Sequence, residues 1–215
     1  MKTVIINRAV PGSGKTTMTR CITDELEKNQ IPYAIHSTDD FFMVGNRYVF
    51  DITKLNEYHQ KNLQNFEEGL QKGVEVVICD NTNIAPWQSE PYTKLAREYG
   101  YQILYITLDP REIEKHVEAQ KVTPQKPDAH GVEEDILKRM IEEYYTFDDL
   151  LNPKTVIDEE KHMHYEWSDE ELKKVPVGIA KHFDLDYLIR ILPHEYKEYQ
   201  KKIGKKVLKI IKGEQ

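Results

Sequence analysis

The sequence predicts an α/β fold, a three-layer sandwich whose parallel sheet carries helices on both faces. Three observations point to it. Short apolar runs alternate with segments of helical periodicity over the first 151 residues. The stretches between successive apolar runs are long enough to hold the crossover helices that parallel strands require. A glycine-rich turn joins the first apolar run directly to the first helical segment.

The elements follow in order. Lys2 to Asn7 is the first strand. Lys15 to Asn29 is a helix, and Ile31-Pro32 ends it, because proline lacks the donor a helix needs. Tyr33 to Ser37 is the second strand. Thr53 to Lys72 places Leu55, Tyr58, Leu63, Phe66 and Leu70 on one helical face, and Gly73 follows as a C-terminal stop. Val74 to Cys79 (VEVVIC) is a buried strand. Trp87 to Tyr99 is a helix ended by Gly100. Tyr101 to Leu108 is a strand closed by Asp109-Pro110. Arg111 to Lys121 is helical. Residues 122–132 hold two prolines and a glycine and form a mobile loop. Glu133 to Leu151 is helical again. Beyond Asn152-Pro153 the pattern weakens, and Thr155-Val156-Ile157 and Tyr187 to Leu192 are rival candidates for a fifth strand. Residues 194–212 form a basic amphipathic helix whose apolar stripe (Ile203, Val207, Ile210, Ile211) docks on the rest. The chain therefore divides into a core, 1–151, and a C-terminal extension, 152–215, packed on it.

The 215 residues carry a formal net charge of −7, with 31% charged and 39% hydrophobic residues. That composition supports a packed core and does not fit a protein that coats nucleic acid, although a local basic site remains compatible with it. Cys21 and Cys79, on separate elements with no secretory signal, read as free thiols of a reducing compartment. No apolar run approaches the length of a membrane span. A cytoplasmic protein with no membrane partner is expected.

The glycine-rich turn reads Ala9-Val10-Pro11-Gly12-Ser13-Gly14-Lys15-Thr16-Thr17. Gly12 and Gly14 let the backbone curl until successive N–H groups point inward, where phosphate oxygens are bound. The helix that follows adds its positive end. Residues Pro11 to Thr17 thus form a nucleotide-binding loop, a P-loop, in which Lys15 reaches the β- and γ-phosphates and the Thr16 hydroxyl ligates Mg²⁺. The cofactors implied are ATP and Mg²⁺. A chance match in a chain of this length has a probability of about 1–2%.

Three clusters surround this loop. Ser37-Thr38-Asp39-Asp40-Phe41-Phe42 follows the second strand, at the end of the sheet where ligands of open α/β folds lie. A carboxylate there can take the proton of an attacking hydroxyl, and Asp39 is the first candidate, Asp40 the second. Asp80-Asn81-Thr82-Asn83 follows VEVVIC, and an acidic residue at such a place holds Mg²⁺, often through water. Each cluster alone also reads as a polar turn, since Asp and Asn favour turns. The third cluster is the loop 122–132 with its flanks: Lys121, Lys126, His130-Gly131-Val132 and Arg139-Met140. Lids of this kind exclude water and bring cations to the transferring phosphate. Lys126 and Arg139 are the catalytic cations expected here, with Lys121 and Arg111 as further candidates.

Together these residues resemble the polynucleotide-kinase-like branch of P-loop kinases. The resemblance rests on residues 8–17, STDDFF (37–42), GNRYVFD (45–51), His59 and Asn62, DNTN (80–83), Trp87, Pro91-Tyr92, HGV (130–132) and Arg139-Met140. It covers residues 1–150. It implies ATP–Mg²⁺ at Gly12 to Thr16, Asp39 as the base that activates an acceptor hydroxyl, and Asp80 as an essential acid near metal or acceptor. Two positions depart from the pattern. The phage member of the branch has an arginine three residues after the catalytic Asp, where this chain has Phe42. Related modules have an arginine three residues before the lid His-Gly, where this chain has Pro127, and lysine lacks the planar fork of arginine. The expected activity is phosphoryl transfer from ATP to a hydroxyl, with a polynucleotide 5′-OH as the leading acceptor. A small-molecule kinase (for a sugar, nucleotide or antibiotic) and a nucleotide-binding regulatory ATPase are the alternatives.

Overall fold

A computed structural model describes residues 1–124, 126–148, 163–166 and 182–214. Five strands form one parallel sheet: β1 (Thr3–Ala9), β2 (Tyr33–His36), β5 (Val76–Cys79), β6 (Gln102–Leu108) and β9 (Tyr187–Ile191), in the order β2-β5-β1-β6-β9. Two short antiparallel pairs stand apart from it: β3 (Met43–Val44) with β4 (Arg47–Tyr48), and β7 (Met163–Glu166) with β8 (His182–Leu185). The helices are α1 (Lys15–Lys28), α2 (Leu55–Gln71), α3 (Pro86–Glu98), α4 (Ile113–Gln120), α5 (Glu134–Asp148) and α6 (Tyr196–Lys212).

The central strand β1 is buried along its whole length, as a strand covered on both faces must be. Alternate side chains feed two cores. Val4, Ile6, Val77, Ile103 and Tyr105 meet Phe66 of α2 and Tyr92 of α3. Ile5, Ile78, Leu104, Ile106 and Ile189 meet Met18 and Ile22 of α1 and Ile203 and Val207 of α6. A third apolar cluster, with Val10, Ile84, Leu137 and Tyr144, lies under α5.

Of the two candidates for a fifth strand, residues 187–191 take the place beside β6, with Ile106 opposite Ile189. Thr155-Val156-Ile157 lies outside the described residues, as does the end of the helix expected to reach Leu151. Residues 187–212 thus supply an edge strand of the sheet and a helix laid along α1. In the sheet β1 lies between β5 and β6; the connection that leaves β1 runs out to β2 and the one that leaves β5 crosses to β6, in opposite directions. The crevice beyond the carboxyl ends of β1 and β5 is where such a fold binds its ligand.

Candidate active site

The turn after β1 has the backbone its glycines suggest. Gly12 and Gly14 have φ of 81° and 95°. An L side chain resists that region by roughly 1–2 kcal/mol. A Cβ on Gly12 would also lie 3.1 Å from the His116 carbonyl oxygen. The loop carbonyls are held from outside. The Arg111 backbone N–H donates to His116 Nε2 at 2.9 Å, so the proton sits on Nδ1, which donates to the Pro11 carbonyl at 2.7 Å. Burial lowers the His116 pKa; the Pro11 bond opposes this and Arg111 adds to it. The neutral ring is therefore the structural form. The Arg111 guanidinium donates to the Gly12 carbonyl.

Asp80 stands at the end of β5, where its backbone N–H donates to the His36 carbonyl at 2.9 Å. Its Oδ1 accepts from Asn7 Nδ2 at 2.6 Å and from the Thr19 hydroxyl at 3.1 Å. Lys15 Nζ donates to the Asp80 carbonyl at 2.6 Å and lies 3.2 Å from Oδ1. The carboxylate is thus fixed beside the loop lysine. Asn81 holds the neighbouring turn: its side-chain oxygen accepts from the Thr38 N–H at 2.9 Å, and its Nδ2 donates to the Tyr92 hydroxyl at 3.1 Å. Asn83 adopts a positive φ of 45°, and its amide donates to the Asn7 carbonyl at 2.8 Å.

Asp39 lies on a 3-10 turn (Thr38–Phe42) after β2. Its Oδ1 accepts from the Tyr48 hydroxyl at 3.1 Å. Its Oδ2 is 3.8 Å from His130 Nε2, and the carboxylate remains 35% exposed. The rings of Tyr48 and His130 stack at 4.2 Å. Burial first, then repulsion from Asp39 and Asp80, raises the Asp40 pKa against the pull of Lys15. His130 is lowered, mainly by burial, although Asp39 opposes that shift. His130 was part of the third cluster in the sequence, whereas Tyr48 was legible only as part of the resemblance. The Val44-Gly45-Asn46-Arg47 sequence is the signal that locates Tyr48, because Gly-Asn between two β-prone pairs marks a two-residue hairpin turn.

The expected cations divide. Lys126 lines the cavity around the loop, and its ammonium donates to the Ala119 carbonyl. Arg111 lines the same cavity. Lys121 turns to Glu118 at 2.5 Å and lines neither cavity of the site. Arg139 is exposed on α5 and also lines neither. The helical register of α5 directs Leu137 and Tyr144 to the core and leaves Arg139 outside. Asp128, which the sequence gave no reason to single out, faces both cavities.

Those two cavities meet at the loop. One, of about 400 Å³, surrounds residues 10–17 with Arg111, Gln120 and Lys126. The other, of about 490 Å³, holds Asp39, Asp40, Tyr48 and Asp80 with Arg20 and Met43. Lys15, Thr16, Asp39, Asp128 and His130 line both. Two buried polar atoms in the wall of the loop cavity, Arg111 Nε and Gln120 Oε1, have no hydrogen-bond partner among the described residues. An anion and a polar heterocycle are the kinds of group that satisfy them. Among the described residues no group of three or more His, Cys, Asp or Glu could hold a metal by itself. A divalent ion here would depend on the Thr16 hydroxyl, Asp80 through water, and the phosphates.

The family model described as an AAA domain matches residues 4–146. The chain belongs to this AAA domain family. It is a P-loop kinase-like protein, as the motifs suggest. Human NEDD4-binding protein 2 is 30% identical over 150 residues, a match covering 67% of this chain and 8% of that protein. The chain therefore spans about 8% of the length of that relative. Two solved structures share the fold of this AAA domain over nearly its whole length. A protein of Chloroflexus aurantiacus, provisionally described as a kinase, has a TM-score of 0.54 at 14% identity, covering 99% of this chain and 97% of that one. Chaetomium thermophilum Kti12, solved with ADP-AlF3, has a TM-score of 0.51 at 11% identity, covering 97% and 98%. Among the described residues no helix is long and apolar enough to cross a membrane.

Proposed function

We propose that this chain is an ATP-dependent kinase that transfers a γ-phosphoryl group to an acceptor hydroxyl. One observation carries the reading: Lys15 and Asp39 stand in the wall shared by a loop cavity and a second, carboxylate-bearing cavity. A nucleotide bound only for regulation would need no second cavity opening on a carboxylate. In the reaction, the acceptor hydroxyl gives its proton to Asp39 as its oxygen attacks the γ-phosphorus. The bond from that phosphorus to the β–γ bridging oxygen breaks, and its electron pair leaves with ADP. Tyr48 holds Asp39 in place through its hydroxyl. Lys15 neutralises phosphate charge, and its present partner Asp80 keeps it aimed at the loop. Bound Mg²⁺ would supply further charge neutralisation, held by Thr16 and, through water, Asp80. Lys126 and Arg111 are the cations available to the phosphates from the lid side.

The acceptor we favour is a polynucleotide 5′-OH. Support comes from partly exposed aromatic rings near Asp39: the stacked Tyr48 and His130, and half-exposed Phe50, which packs with Tyr48 on the buried Phe42. Bases stack on such surfaces without regard to sequence. A small polar alcohol is the second reading. It is favoured by the charge of the acceptor cavity, where Asp39, Asp40, Asp80 and Asp128 outnumber Lys15 and Arg20. Transfer of label from γ-labelled ATP, screened against 5′-hydroxyl oligonucleotides, nucleosides and sugars, tests both. Labelled oligonucleotide is the expected product. Labelled nucleoside or sugar alone would support the second reading, and release of phosphate with no labelled acceptor would overturn the kinase.

A further inference from the structure

We infer that helix α6 is a working part of the nucleotide site, and that Tyr196 is a positioning residue of the phosphate loop. The inference rests on the reading that residues 11–17 bind phosphate, and it concerns a part of the chain beyond the span of the family match, 4–146.

A loop that turns its N–H groups inward must turn its carbonyls outward. Those carbonyls are obligatory acceptors, and each needs a donor from elsewhere. His116 serves Pro11 and Arg111 serves Gly12. The carbonyl of Gly14, the residue directly before α1 and Lys15, accepts the first bond of α1 from the Met18 N–H at 3.1 Å, and its second lone pair is served from 182 positions away: the Tyr196 hydroxyl donates to it at 3.0 Å. The fit is close. A Cβ on Gly14 would stand 2.0 Å from that hydroxyl, so glycine is required both by its φ of 95° and by the approach of Tyr196.

The tyrosine is itself held. It is the first residue of α6 and packs at the edge of the core that α1 and α6 share. Gly204 brings α6 so near α1 that a Cβ there would lie 2.5 Å from the Cys21 carbonyl oxygen. Ile203, Val207 and Ile211 are buried against the same seam. At the far end the N-terminal amine of Met1 donates to the Ile211 carbonyl at 2.5 Å. The helix is therefore fixed along its length, and its first residue delivers a donor to the loop. A docked tail would need only the apolar stripe. It would not need a hydroxyl on the backbone of the residue that precedes the catalytic lysine.

The test is Tyr196→Phe, which removes the hydroxyl and keeps the ring. Tyr199→Phe, on the same helix and in the same core, is the control. Calorimetry with Mg–ADP and with Mg–ATP is the readout, together with melting temperature. For Tyr196→Phe the dissociation constants of both nucleotides rise by about 2- to 12-fold, the size expected for losing one neutral hydrogen bond to the loop. Tyr199→Phe leaves them unchanged. In a transfer assay the Tyr196→Phe defect lies in KM for ATP and not in kcat at saturation. Unchanged nucleotide affinity in a folded Tyr196→Phe protein, or equal losses in both variants, would overturn the inference while leaving the kinase reading intact. Failure of the wild-type chain to bind either nucleotide would overturn the phosphate-loop reading, and the inference with it.

Discussion

Asp39 accepts a hydrogen bond from Tyr48 at one oxygen and faces His130, the ring stacked on Tyr48, with the other. Its Tyr48 partner lines the carboxylate-bearing cavity and not the loop cavity, so removing that hydroxyl should disturb aim more than nucleotide binding. Tyr48→Phe should lower kcat by about 3- to 10-fold, the cost of one lost neutral hydrogen bond, with nucleotide affinity unchanged. Single-turnover transfer alongside calorimetry checks this. A second expectation concerns protons. His36, His59, His116 and His130 are all held below the ordinary histidine value of 6.5, burial being the first cause in each. These four rings then hold fewer protons in the folded chain than in the unfolded chain below about pH 6.5, a contribution that the raised carboxyls of Asp40, Glu143 and Asp148 oppose only at lower pH. Stability should be full above that pH and fall as pH drops through and beneath it. Urea midpoints at pH 7.5 and 5.5 measure the loss, and His116→Gln should shrink it. The residues of the loop, the Asp pair and Asp80 were all legible in the sequence, because each spells a local backbone need or stands directly after an apolar run. His116 was not legible. A lone histidine on a short helix carries no local sign that its ring will support a proline carbonyl 105 positions earlier.

At the scale of elements, helix α5 is anchored by a buried cation. Arg8 of β1 is fully buried, donates to the carbonyls of Ile84 and Tyr144, and pairs with Asp148 at the end of α5 at 3.3 Å. Its guanidinium also lies 3.8 Å from the centre of the Tyr144 ring. Burial lowers its pKa, and Tyr144 and Asp148 oppose that. Arg8→Ala leaves two carbonyls without their donor and takes from Asp148 one of its two cations, Arg190 remaining at 2.8 Å, and should cost about 2–4 kcal/mol. Chemical denaturation measures this, and a loss under 1 kcal/mol would show that α5 is held by its apolar face alone. The α1–α6 seam makes a separate expectation. Gly204→Leu cannot be accommodated beside the Cys21 backbone, and overpacking of this kind should cost about 1–3 kcal/mol. Element positions were read from the sequence to within a few residues wherever apolar spacing was strong, as in α1, α2, β1 and β6. The β3–β4 hairpin escaped because its strands are two residues each, too short for any period to register.

At the scale of the whole molecule, the parallel sheet was foreseen but its edge was ambiguous. Two apolar stretches of the C-terminal region had the same local character, and only long-range pairing with β6 distinguishes residues 187–191. The charge of the chain bears on the acceptor. Among the helix lysines, Lys201, Lys205 and Lys209 are exposed on α6 while its apolar stripe is buried. Changing these three to glutamine should leave the salt dependence of oligonucleotide binding unchanged. A slope reduced by about 0.7 for each lysine lost would instead make α6 part of a phosphate track. In the proposed reaction Asp39 takes the proton of an acceptor hydroxyl beside a nucleotide held at Lys15. Its most direct test is transfer from γ-labelled ATP to a 5′-hydroxyl oligonucleotide by wild type and Asp39→Asn, with Mg–ATP affinity measured on both. Labelled oligonucleotide from wild type, a fall of about 10²-fold or more in Asp39→Asn, and equal affinity for ATP are the expected results. Full transfer by Asp39→Asn would contradict that role of Asp39.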